Sequence, residues 1–298
     1  MNNSAHPLDL ATALVAMDED RYTGRFTPAY ANMVGPFGGV IAASMLNAVL
    51  LHPQRMGEPA ALTVNFAGPI SDAEFQISAR PSRSNRSTQH WNIELLQDGE
   101  IAVTATALLA VRREGWSVQE LAFPEVPAAE AVAPTTVPVP IAWVKSYQMR
   151  FIDGLLTMNS ADSSDSSLSR LWVRDEPPRT LDFLSLTALA DVFFPRVFLR
   201  RQMPCPAGTV SMTVYYHASG HELDSYGQQH VLACARANQL RNGFADQTAE
   251  LWSNDGKLLV TANREGGDVS VIDVAAKKVL KHIPIGQNPE FVRVRGDF

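Results

Sequence analysis

Apolar and polar positions along the chain fall into two similar rounds, each opening on a long apolar run and continuing as short strands. The first run, Val34 to Leu51, holds 18 residues without a charge, and the second, Phe183 to Phe194, carries Asp191 as its one acid. A helix that is apolar on nearly every side is one wrapped by protein. Eighteen residues reach the lower limit for a membrane span. Gly35, Pro36, Gly38 and Gly39 crowd the start of that run, however, and Ser44 and Asn47 interrupt its centre, so a buried helix is predicted. Strand-like stretches follow at Leu62 to Phe66, Glu74 to Ala79, Gln89 to Leu96 and Ile101 to Val111. In the second round they fall at Gln148 to Leu156, Leu168 to Arg174, Val210 to Ala218, Val231 to Gln239, Thr248 to Trp252 and Lys257 to Ala262. One helix with antiparallel strands joined by tight hairpins, stated twice, is an α+β plan.

The two rounds also share residues. Gln97-Asp98-Gly99-Glu100-Ile101-Ala102-Val103-Thr104-Ala105 returns as Asn254-Asp255-Gly256-Lys257-Leu258-Leu259-Val260-Thr261-Ala262, and Leu62-Thr63-Val64-Asn65-Phe66 returns as Met212-Thr213-Val214-Tyr215-Tyr216. Leu62 matches Met212 and Val103 matches Val260, offsets of 150 and 157 residues. Asp-Gly turns recur by chance, but two matches in the same order mark a duplicated domain. Between the copies, residues 123–140 hold five prolines and several alanines without a period, an extended linker. The expected organisation is an N-terminal domain over 1–122, a linker over 123–141, a C-terminal domain over 142–264 and an extension over 265–298. The Ser-rich stretch from Asn159 to Ser169 offers little to bury and reads as a mobile loop.

A net charge of −6 gives no support to nucleic-acid or anionic-membrane binding, which need a basic face. Met1 to Ala13 lacks the basic cluster and apolar core of a secretory signal, so the cytoplasm is the expected compartment. The two cysteines, Cys205 and Cys234, read as small core residues. No Gly-x-Ser-x-Gly elbow, phosphate-binding Gly loop or zinc-spaced Cys/His cluster occurs, so neither metal nor cofactor is expected.

The glycine-rich helix entry Val34-Gly35-Pro36-Phe37-Gly38-Gly39-Val40, the Arg- and Ser-rich segment Arg80 to Ser87, the strand Gly208 to His217 and the turn Asn254-Asp255-Gly256 together resemble the acyl-CoA thioesterase II family. The resemblance spans roughly residues 15–264. It implies a double-hotdog fold, in which each half wraps an antiparallel sheet around a long helix. It also implies hydrolysis of an acyl-CoA thioester in lipid metabolism, without a cofactor, by a dimer or tetramer. The segment from Gly266 to Val292 resembles one unit of surface-layer-type β-propeller repeats. Its strands Val269 to Val274 and Val279 to Ile285 are expected to form a hairpin that extends the sheet or packs on another subunit.

The family acts through an Asp on the second helix, a Thr opening the next strand and a Gln on the final strand. The first falls on Asp191 and the second on Thr209. The third falls near Arg264, where no Gln stands. Thioester hydrolysis needs a water, a base and donors aimed at the developing oxyanion. Asp191, among Leu189, Ala190, Val192 and Phe193, is a desolvated carboxylate suited to be the base. Thr209 would hold the water. Backbone N–H groups around Gly38 and Gly39 would face the oxyanion. Asn47, at the matching place in the first half, cannot act as a base. Arg80, Arg83 and Arg86, with Arg196, Arg200 and Arg201, are candidates for the coenzyme A phosphates. Phe193 and Phe194 are candidate walls of the acyl pocket. The alternative readings are a non-catalytic acyl-CoA binding or scaffold protein, suggested by the absent Gln, and a hotdog-type enoyl-CoA hydratase, for which no Asp-x-x-x-x-His motif enters the helix.

Overall fold

A computed structural model describes residues 5–157, 159–202, 207–266, 271–273 and 278–281. Strand β5 (Thr88–Gln97) shows why the first half is a sheet: Gln89, Trp91, Ile93, Leu95 and Gln97 are buried, while His90 and Asn92 between them face solvent. That period of two matches the strand pleat. Asp98 and Gly99, both at positive φ (53° and 82°), turn it into β6 (Glu100–Ala110). Asn242 and Gly243 do the same (54° and 82°) between β10 (Val231–Arg241) and β11 (Phe244–Trp252). These are the primed hairpin turns that such dipeptides favour.

The remaining elements of the first half are α1 (Pro7–Ala11), β1 (Leu14–Ala16), β2 (Arg21–Arg25), α2 (Gly38–Leu51), β3 (Glu58–Phe66) and β4 (Glu74–Ser84). Those of the second are β7 (Tyr147–Asp153), β8 (Ser169–Asp175), α3 (Phe183–Leu189), α4 (Arg196–Arg201), β9 (Thr209–Tyr216), α5 (Gly220–Tyr226) and β12 (Leu258–Gly266). Twelve strands form one antiparallel sheet in the order β1-β2-β4-β5-β6-β3-β9-β12-β11-β10-β8-β7. Read outward from the β3–β9 seam, each half has the same sequence of neighbours.

The repeat in the sequence is a repeat in register. Val64 pairs with Ala105 and its counterpart Val214 pairs with Ala262, so both offsets hold in space. At the seam Leu62 pairs with Val214, Thr63 with Thr213 and Val64 with Met212. Leu62 and Val64 each face the other's counterpart and Thr63 faces its own, as a twofold between Thr63 and Thr213 requires, and the two threonine hydroxyls meet at 3.1 Å. Arg112 ties the seam from outside, donating to the Pro59 carbonyl at 2.9 Å and the Tyr216 carbonyl at 3.0 Å.

Helix α2, buried along most of its length, packs on β4, β5 and α3. The opposite face of the second half-sheet is covered as well. Phe123, Val126, Ala129 and Val132 of the proline-rich segment pack on Trp172, Leu232, Cys234 and Trp252, and Trp172 Nε1 donates to the Pro127 carbonyl at 2.9 Å. The linker is thus a roof over this face. Cys234 is a buried free thiol in that layer, as expected of a small core residue; Cys205 lies outside the described residues.

Two expectations are corrected, and the hairpin expected of the extension is met in part. The apolar run from Phe183 does not remain helical to Phe194: α3 ends at Leu189, and Asp191 lies in the tight turn beyond it, its N–H on the Ala188 carbonyl at 3.1 Å. The end of the Ser-rich loop is fastened, since Ser167 Oγ accepts the Ala237 N–H at 2.9 Å and Ser169 is buried. In the extension, Val271–Asp273 (β13) and Lys278–Lys281 (β14) pair only with each other among the described residues and do not widen the main sheet. Most of the segment that was compared with a propeller repeat lies outside the described residues.

Candidate functional site

Helix α2 begins without a cap of its own: Phe37 occupies the N-cap and offers no side-chain acceptor. The first N–H groups of a helix need acceptors and carry its positive end. Asp191 supplies one from the other half of the molecule. Its carboxylate takes the Gly39 N–H and lies so close to Gly38 that a β-carbon there would stand 2.7 Å from Oδ2. The glycine at position 38 is therefore explained by the approach of Asp191. A β-carbon on Gly39 would fall 2.6 Å from the Ala188 carbonyl. Gly39 and Asp191 meet across the duplication, so the site is complete only when both halves are present.

Asp191 is buried, and Arg264 of β12 is its counter-charge, with Nη1 2.9 Å from Oδ1. The same Nη1, which carries two N–H groups, also donates to the Phe193 carbonyl at 3.0 Å. Oδ1 is left close to positive charge yet without a hydrogen-bond donor among the described residues. Burial pushes the carboxyl above the ordinary carboxylate range, and Arg264 and the Gly39 N–H pull against that rise. The result is a desolvated carboxylate held against a guanidinium.

Thr209 opens β9 opposite Gly266, while Met212 sits opposite Arg264. Between these pairs the register slips by one residue. Without the slip, alternation from Met212 would turn Thr209 to the far face. With it, Thr209 shares the face of Gly266 and hence of Arg264, two residues earlier on β12. No hydrogen bond from its hydroxyl is present among the described residues.

Other predicted residues separate. Arg80, Arg83 and Arg86 are exposed on the β4–β5 hairpin; Arg83 Nε donates to Asn85 at 2.9 Å and Arg80 lies 3.6 Å from Asp20. None of them contacts Asp191. Arg196 is corrected as a phosphate candidate. It is fully buried, and its donors are taken by the Phe194 and Ser167 carbonyls and by Ser169 Oγ. Its guanidinium lies 5.4 Å above the Phe193 ring, and burial followed by the nearby Arg264 charge brings it down to about 9. Arg200 faces Asp165 at 4.0 Å, and Arg201 is exposed. Asn47 donates to the Thr12 carbonyl at 2.8 Å, a structural anchor on an unbroken helix.

Trp143 and Tyr147, not singled out from the sequence, belong to the aromatic group beside this site. Trp143 stacks on Phe37 at 4.4 Å and meets Phe194 at 5.5 Å, and Tyr147 packs edge-on against both Phe37 and Trp143. Their signal, two aromatics four apart at the entry to β7, is indistinguishable from ordinary core.

Gly38→Ala tests the geometry. The added methyl must displace either the carboxylate or the start of α2, so activity is expected to fall at least tenfold, with a stability loss of about 1–3 kcal/mol from overpacking. Unchanged turnover and melting temperature would show that Asp191 does not need this close approach.

With the geometry in place, comparisons give it relatives. Residues 27–110 match the model of the acyl-CoA thioesterase N-terminal domain, and residues 123–267 that of the C-terminal domain. A conserved protein of unknown function with a hot dog fold from Alicyclobacillus acidocaldarius is 42% identical, with a TM-score of 0.85, covering 90% of this chain and 100% of that one. A candidate thioesterase II from Thermobifida fusca is 18% identical with a TM-score of 0.76, covering 87% of this chain and 96% of that one. An acyl-CoA thioesterase II from Mycobacterium marinum is 15% identical with a TM-score of 0.69, covering 87% and 97%. These two share the fold. No curated protein matches.

Proposed function

Since the chain belongs to the acyl-CoA thioesterase family with paired N- and C-terminal domains, we propose that it is a double-hotdog enzyme that hydrolyses an acyl-CoA thioester with Asp191 as general base. The observation that carries this reading is the position of Asp191, a buried carboxylate with a raised pKa set beside a cation at the entry to α2. A water beside that carboxylate gives its proton to Oδ1 as its oxygen attacks the thioester carbonyl carbon. The tetrahedral intermediate then expels the thiolate of coenzyme A, which recovers the proton from Asp191. The products are the free acid and the thiol.

Each neighbour has a part in that cycle. The Gly39 N–H is committed to the carboxylate, so it orients the base. Arg264 keeps the base ionised inside the protein and puts positive charge near the developing oxyanion. Thr209, on the same face by virtue of the slipped register, holds the water. This is the role the resemblance gives to Thr209.

The pairing of Asp191 with a guanidinium favours a second reading, a protein that binds acyl-CoA without turnover. Incubation with a panel of acyl-CoA esters and a thiol reagent separates the two. Thiol release in proportion to enzyme and time supports hydrolysis; saturable binding without release supports the binding protein; a 3-hydroxyacyl product from an enoyl ester would support the hydratase. Within the first reading Phe194, packed on Trp143, walls the acyl pocket. Phe194→Ala is expected to lengthen the preferred acyl chain, and an unchanged chain-length profile removes it from the pocket.

A further inference from the structure

On the face of the sheet away from Asp191, a cleft of about 810 Å³ opens between the linker turn at Ala129 and the residues 225–230 that lead from α5 into β10. Its floor is the outer face of β7 and β8, where Arg150 lies opposite Trp172 and Arg174 lies opposite Gln148. The two arginines are diagonal neighbours, ~7–8 Å apart at their β-carbons. Neither has a carboxylate within ion-pairing distance among the described residues. The titratable and charged groups lining the cleft are these two cations, Glu130, His230 and Tyr226.

Two like charges held together in an acidic protein need an account. Arg150 spends Nη1 on the Ala129 and Val132 carbonyls, both at 2.9 Å, and one Nη2 donor on Gln148 Oε1 at 3.3 Å, and Arg174 reaches only the Gln228 carbonyl, at 3.5 Å. The Nε atoms of both arginines are buried and without an acceptor among the described residues. Buried donors in a folded protein are normally satisfied. Two guanidinium groups with donors to spare call for an anion that brings a double charge and several oxygens, which a phosphate does and a single carboxylate does not. His230 is positioned to register its arrival: its Nε2 is 2.9 Å from Gln148 Oε1, and burial, then Arg174 and Arg150, hold the imidazole down at about 4.

We propose that this cleft binds a phosphate-bearing small molecule whose dianion bridges Arg150 and Arg174. The site is independent of the thioesterase reading, which concerns the other face of the sheet.

The test is the shift of the His230 ring resonances by NMR on the full chain at pH 7.5, where phosphate is mainly the dianion and acetate the anion, on titration with inorganic phosphate, adenosine 3′,5′-bisphosphate, or sodium chloride and acetate at matched ionic strength. Phosphate seated between the two cations beside His230 is expected to shift its ring resonances saturably, with chloride and acetate leaving them in place. Arg174→Gln is expected to weaken phosphate binding at least tenfold, with thiol release unchanged. Tighter binding of the bisphosphate than of inorganic phosphate identifies the ligand as a nucleotide; equal binding identifies free phosphate. The proposal is overturned if phosphate shifts the His230 resonances no more than chloride does, if acetate binds as well as phosphate, or if Arg174→Gln binds phosphate as the parent does. The titration of the parent protein decides by itself should the variant fail to fold.

Discussion

Arg264→Leu is expected to be the most destabilising single change at the site, about 3–5 kcal/mol at neutral pH, because it leaves a buried carboxylate without its counter-charge. The loss has a definite pH dependence. Asp191 already titrates above the ordinary carboxylate value, and removing the cation raises it further. A group whose folded value is raised contributes stability below its unfolded value and loses it as pH climbs through the folded one. The deficit of the variant should therefore be small in acid, where Asp191 is protonated in both states, and grow as pH rises through its raised folded value. Arg264→Gln, which keeps an amide donor, should cost less stability and move the acidic limb of kcat/KM to higher pH. Denaturant unfolding across pH checks the first expectation. A deficit independent of pH would show that Arg264 acts by packing alone.

Asp191→Asn should lower thiol release by on the order of 10²–10⁴-fold, the range contributed by a positioned general base. The amide preserves volume but cannot take the water's proton. It also leaves Arg264 without its buried counter-charge, so some stability is lost as well. Circular dichroism and acyl-CoA affinity, measured beside the rate, separate a missing base from a missing fold. A folded variant with more than a tenth of the parent rate would remove Asp191 from the chemistry.

The duplication is readable because it is written in strands, where residue identity and register are coupled: Val-Thr-Ala of one strand and Thr-Val of the other keep both their letters and their pairing. The end of α3 was not readable. Nothing between Phe183 and Phe194 punctuates the apolar run, and the chain turns at Asp191 so that its carboxylate can cap α2, a tertiary demand that periodicity does not record. The roof over the outer face was missed although it left a trace. Val231 to Ala235 and Leu251-Trp252 are apolar without alternation, the mark of strands buried on both faces. Composition drew attention to the prolines of the linker, while Phe123, Val126, Ala129 and Val132 among them make the contact. Asp191 and Thr209 were named through a family resemblance. Their relation to Arg264 depends on a one-residue slip between β9 and β12, which only the register reveals.

The measurement closest to the central claim is a single turnover of an acyl-CoA ester by excess enzyme in ¹⁸O-labelled water, with mass analysis of the acid released. If Asp191 acts as a base on water, the first turnover yields acid carrying one ¹⁸O and an equivalent of free coenzyme A. Unlabelled acid in that turnover would mean that an enzyme carboxylate had attacked the carbonyl, and the absence of thiol would mean that this site binds its ester without cleaving it.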